Sequence, residues 1–127
     1  VTAADPPETD GFSLRVEERN DGDRRSAVVT LVGELDVYTV SSVRATLDEL
    51  LVDGASPVVV DLTELAFMDS SGLGTLVAAH KKARVLRSAF VVVCADGVVL
   101  RLLSVTGLIR VLHVVGSVER AFAEVEA

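Results

Sequence analysis

Phe67-Met68-Asp69-Ser70-Ser71-Gly72-Leu73-Gly74-Thr75-Leu76 is the stretch around which the chain is organised. Before it lies Pro57-Val58-Val59-Val60-Asp61-Leu62, an apolar run that reads as a buried strand. After it, Leu76 to Arg87 reads as a helix. Two hydroxyls and two glycines therefore sit where a strand hands over to a helix. The first turn of a helix carries backbone N–H groups without intrahelical partners. An Asp or Ser at the cap accepts a hydrogen bond from one of them. A phosphate placed there meets free donors and the positive end of the helix dipole. Gly72 and Gly74 leave room for a ligand or another molecule's backbone to come close.

Outward from this junction the pattern alternates between strand and helix. Phe12, Leu14 and Val16 interleave with Ser13, Arg15 and Glu17, as in a half-buried strand. Asn20-Asp21-Gly22-Asp23 is a turn signal, and Ala27 to Val32 is a second strand, so the two predict a hairpin. Gly33-Glu34-Leu35-Asp36-Val37-Tyr38 ends that strand and enters a helix capped by Thr39. On that helix Val40, Val43, Leu47, Leu50 and Leu51 share a face, and Asp53-Gly54 closes it. Thr63 to Ala66 reads as a connecting loop before Asp69. On the helix that follows, Leu73, Leu76, Ala79, Ala83 and Leu86 share a face, with Lys81, Lys82 and Arg84 towards its negative end. Phe90 to Cys94 is another strand, and Asp96 is the expected cap of a short helix through Val98, Leu102 and Leu103 that ends at Gly107. Val111 to Val115 is a last strand. Ser117 caps a final helix with Val118, Ala121, Phe122 and Val125 inward. Strands buried between helices imply mostly parallel pairing and the α/β class.

Met68-Asp69-Ser70-Ser71-Gly72-Leu73-Gly74 resembles the signature of the STAS domain, and within it that of bacterial anti-sigma factor antagonists. Gly33-Glu34-Leu35-Asp36 resembles the second signature of the family, where a strand leads into the first helix. The resemblance spans roughly residues 12 to 125. It implies a single STAS domain at 12–127, a mixed, mostly parallel sheet of about five strands with about four helices, behind a flexible tail at 1–11. It further implies a protein that, unphosphorylated, binds an anti-sigma factor and so frees the sigma factor. In the family that anti-sigma factor is also an ATP-dependent serine kinase, whose phosphorylation of the antagonist breaks the complex until a serine phosphatase resets it. Carried over, the phosphoacceptor is the first hydroxyl after the aspartate, Ser70. Asp69 would position the Ser70 hydroxyl and cap the helix, and Asp36, Asp69, Ser70, Ser71, Gly72 and Gly74 would form the partner-binding surface. The protein would be a substrate and binding module, not an enzyme, with no cofactor and no metal. The alternative within the same fold is a domain that binds a nucleotide or other ligand, or acts within a larger signalling assembly.

Composition narrows the field further. With 127 residues, half of them hydrophobic, the chain suits one domain with its own core. Trp is absent and aromatics are few, so Val, Leu and Ala must build that core. A formal net charge of −7 argues against a nucleic-acid binder, which needs a basic surface to replace phosphate counterions, and against docking to anionic lipid. No apolar run reaches the roughly 18 residues of a membrane span, and no basic-then-apolar signal pattern opens the sequence. The single cysteine, Cys94, has no internal partner, which suits a reducing cytoplasm; inside an apolar run it is expected to be a buried, inert thiol.

Catalytic readings fare poorly. A hydrolase elbow needs Gly-x-Ser-x-Gly, but Met68 stands two before Ser70. A triad needs a histidine base; His80 reads as a helix-surface residue and His113 as a strand residue. A dinucleotide loop needs a third glycine where Val77 stands, and needs its glycines directly after the strand. Asp36 and Asp69 as a metal-binding pair are better read as separate caps or partner contacts.

Overall fold

The computed structural model describes residues 11–126. The tail expected at 1–11 therefore falls, apart from Gly11, outside the described residues. β1 (Ser13–Asp21) and β2 (Arg24–Leu35) form the expected antiparallel hairpin, with Gly22 at a φ of 66° in the turn. β3 (Val58–Met68), β4 (Phe90–Val93) and β5 (His113–Val115) follow in parallel, giving a five-stranded mixed sheet in the order β1-β2-β3-β4-β5. Between the parallel strands run α1 (Val40–Val52), α2 (Ser70–Leu86) and α3 (Val98–Val105), the last followed by a single 3-10 turn at Leu108–Arg110. α4 (Val118–Glu126) comes after β5.

The side-chain alternation of the strands sorts the helices onto two faces. Ala27, Val29 and Leu31 of β2, Val58, Val60 and Leu62 of β3, and Phe90 and Val92 of β4 point into the larger core. There they meet Val43, Leu47 and Leu51 of α1, Leu76, Ala79 and Ala83 of α2, and Val99 and Leu103 of α3. The intervening Val28, Val59, Val91 and Val93 point the other way and pack beneath Val118, Ala121, Phe122 and Val125 of α4. Strands buried on both faces need near-continuous valine runs, which explains Pro57–Val60 and Phe90–Val93. Ser117 caps α4 as expected, its hydroxyl accepting from the Arg120 N–H at 3.1 Å.

Four expectations are corrected. Thr63 to Ala66 is not a loop: β3 runs unbroken to Met68, paired with β2 through Leu35↔Met68. Two register shifts lie between β2 and β3, at Thr30/Val32 and Gly33/Glu34, and each gives β3 one extra residue. Buried positions then fall at Leu62, Leu65 and Met68, a spacing of three that hides the period of two. Asp96 does not cap α3. Gly97 occupies the cap at a φ of 95°, and no side chain bonds the first turn. Leu86 lies past the buried face of α2 and is exposed, and Leu73 is only half-buried, whereas Thr75 is buried. The last strand is shorter than expected, because the Val111 and Leu112 N–H groups both bond back to the Leu108 carbonyl and strand pairing starts only at His113.

Candidate functional site

Because β2 and β3 are parallel neighbours, their C-terminal ends emerge side by side. The Asp69 N–H donates to the Leu35 carbonyl at 3.1 Å, so the Gly33–Asp36 and Asp69–Gly74 motifs become one structural unit. On the other edge of β2, Gly33 admits the start of β1. Its φ is 105°, and a Cβ there would run into the Gly11 carbonyl oxygen, since the backbone entering β1 passes directly against it.

Asp69 is the N-cap of α2 in extended conformation. Its Oδ1 accepts from the backbone N–H of Ser71 at 2.9 Å and of Gly72 at 3.2 Å, and from the Ser71 hydroxyl. The Ser71 hydroxyl, foremost, then these backbone donors and the Val37 N–H hold the Asp69 carboxyl below its ordinary range. The expectation that Asp69 positions Ser70 is therefore corrected: it grips Ser71. Ser70, at the first helical position, is exposed, and its hydroxyl makes no hydrogen bond to any described residue.

The two glycines have opposite jobs. Gly72 is buried, and a Cβ on it would lie 2.5 Å from Met68 Cγ and 3.0 Å from Leu35 Cγ. It lets α2 settle onto the strand ends, and does not clear space for a partner as its spacing suggested. Gly74 is exposed, with nothing within 4 Å of such a Cβ, and does leave open surface beside Ser70.

The loop from Asp36 to Thr39 forms the other wall. Thr39 stands at the N-cap of α1 but makes no capping bond to it. Its buried hydroxyl turns back instead, accepting from the Asp36 N–H at 2.9 Å and donating to the Glu34 carbonyl at 3.0 Å. Asp36 Oδ1 in turn accepts from the Tyr38 N–H at 2.9 Å. This pinned turn displays Val37, 62% exposed, and Tyr38, 84% exposed, while Phe67 at the end of β3 is 44% exposed. These three apolar side chains were not singled out from the sequence. Their signal is weak there, since each falls in or beside an apolar run.

His80 is half-buried on α2, and His113 on the edge strand β5 is paired with Glu124 at 2.8 Å. Neither bonds to Ser70. Among the described residues, no three His, Cys, Asp or Glu side chains are grouped to hold a metal ion, and no helix is long and apolar enough to cross a membrane. Cys94 is buried, and burial pushes its thiol pKa up.

The sequence profile of the STAS domain matches residues 15–121. An anti-sigma-B factor antagonist of Listeria monocytogenes is 32% identical over 103 residues, 81% of this chain and 88% of that protein. One from Staphylococcus aureus is 34% identical over 86 residues, 68% of this chain and 80% of that protein. The crystal structure of an anti-sigma factor antagonist from Mycobacterium paratuberculosis superposes with a TM-score of 0.75 at 24% identity, covering 88% of this chain and 95% of that one, which shows a shared fold. By its two motifs, its sheet order and these similarities, the chain belongs to the STAS domain family.

Proposed function

We propose that this protein is an anti-sigma factor antagonist switched by phosphorylation of Ser70. The observation that carries the choice of residue is the contrast between the two serines. The Ser71 hydroxyl is tied to Asp69, whereas the Ser70 hydroxyl is exposed and unbonded. In the unphosphorylated state the surface around Ser70, Gly74, Asp36, Val37 and Tyr38 binds the anti-sigma factor. That partner, acting as a kinase, transfers the γ-phosphoryl group of ATP to Ser70. A P–Oγ bond forms, the bond to the β-phosphate oxygen of ADP breaks, and the hydroxyl proton leaves to a base on the kinase. A serine phosphatase hydrolyses the ester and restores the binding form. The chain is substrate and binding module throughout.

Phosphorylation acts on the interface and spares the fold. A phosphoserine adds about −1.5 to −2 charges. At the first turn of α2 it meets the positive end of the helix dipole, and the Asp69 charge beside it is already compensated by its hydrogen bonds from the Ser71 and Gly72 N–H groups. Under a closely packed partner the same dianion must be desolvated, and an unpaired buried charge costs several kcal/mol. At about 1.4 kcal/mol per tenfold, affinity falls roughly a hundredfold or more.

The test is to incubate the chain with its purified anti-sigma factor kinase and ATP and to locate the phosphate by mass spectrometry. Label is expected on Ser70, absent in Ser70→Ala and retained in Ser71→Ala. Phosphate chiefly on Ser71 would overturn the assignment, as would a Ser70→Asp variant that binds the anti-sigma factor as tightly as wild type.

A further inference from the structure

We infer that the docking face for the anti-sigma factor continues from Ser70 across Phe67 onto the outer side of α3, where the partner seats aliphatic side chains and sets a carboxylate against Arg101. This inference rests on the proposed function. Phe67, Met68, Val98, Arg101, Leu102 and Val105 line an open groove of about 270 Å³. Val98, Leu102 and Val105 fall at i, i+4 and i+7, one stripe along α3 beside the side on which Val99 and Leu103 fill the core, with Leu102 half-buried against that core. Val98 is 59% and Val105 79% exposed. The exposed part of this stripe, Val98 and Val105, has no cover among the described residues.

Two features identify the cover. The groove shares a wall with the phosphorylation site: Phe67 and Met68 run directly into Asp69 and Ser70, so a body resting on Ser70 and Gly74 meets Phe67 next. Charge complementarity supplies the second. Arg101 is the single charged residue of the groove, and its guanidinium has no hydrogen bond or ion pair among the described residues. In a chain of net charge −7, this is a local cationic point beside apolar surface. A partner helix carrying aliphatic residues and one Asp or Glu fits it, the carboxylate taking the guanidinium's planar donors.

Titrate the full chain with the purified anti-sigma factor kinase by calorimetry, using wild type, Arg101→Glu, Val105→Glu and Ser70→Asp, with a thermal melt of each. Both α3 variants are expected to melt as wild type does and to bind roughly tenfold or more weakly. Wild-type affinity is expected to fall more steeply with salt than that of Arg101→Glu. If wild type binds, Ser70→Asp does not, and both α3 variants bind like wild type, the proposed function stands and this inference is overturned. If wild type fails to bind, both fall together. Sedimentation of the chain alone supplies the remaining outcome: a dimer that Val105→Glu dissociates would show that a second copy covers the face, and would also overturn the inference.

Discussion

Replacing each glycine of the Gly72-x-Gly74 pair by alanine should move stability in opposite directions. At Gly72 the new methyl would sit 2.5 Å from Met68 Cγ and 3.0–3.1 Å from Leu35 Cγ and Cδ2. Both neighbours are buried, Met68 2% and Leu35 0% exposed, so the methyl must displace packed side chains. Forcing an extra methyl into a filled core costs about 1–3 kcal/mol, and the helix-propensity gain of Ala over Gly returns at most about 1 kcal/mol. The net expectation is a destabilisation of up to ~2 kcal/mol, or a Tm lower by up to roughly 10 °C for a domain of this size. At Gly74 the methyl meets nothing within 4 Å. That variant should gain ~0.4–1 kcal/mol by restricting the unfolded chain. Urea and thermal unfolding followed by far-UV circular dichroism measure both, with an unchanged urea slope as the check that the transitions are comparable. A Gly72→Ala variant as stable as Gly74→Ala would refute the claim that Gly72 is an internal packing residue.

Thr39→Val removes a buried hydroxyl that both accepts from Asp36 and donates to Glu34, leaving those backbone groups unpaired. Chemical denaturation should show a loss of about 1–3 kcal/mol, and a neutral result would mean that this hydroxyl does not hold the loop. Asp69 has a depressed carboxyl pKa when folded, so its contribution to stability is complete above its ordinary value of 3.8 and is lost as pH falls through the lower folded pKa. Asp69→Asn should therefore flatten the acid limb of a Tm-versus-pH profile, and an unaltered limb would contradict the hydrogen-bonded carboxylate. Cys94 should react with a thiol reagent only on unfolding, given its burial and raised pKa; fast labelling of the native protein would argue against its place in the core.

Local pattern was enough to determine the class of this protein and most of its elements. Val40, Val43, Leu47, Leu50 and Leu51 recur at helical spacing and are the buried face of α1. The valine runs are strands covered on both sides, and Asp69 and Ser117 are caps, because a cap acts on donors two or three residues away. What lay beyond local pattern depended on register between strands distant in sequence. Nothing near Thr63 announces that β2 will pair with Glu64, Leu65 and Phe67 across two bulges, so a strand looked like a loop. The same pairing carries Leu35 beside Asp69 and places Gly72 against Leu35 and Met68, which turns a glycine that looked like open space into a packing residue. Cap geometry likewise gives the adjacent serines different surroundings. Both hydroxyls follow Asp69 in sequence, but the cap geometry lets its carboxylate reach Ser71 and leaves Ser70 facing solvent.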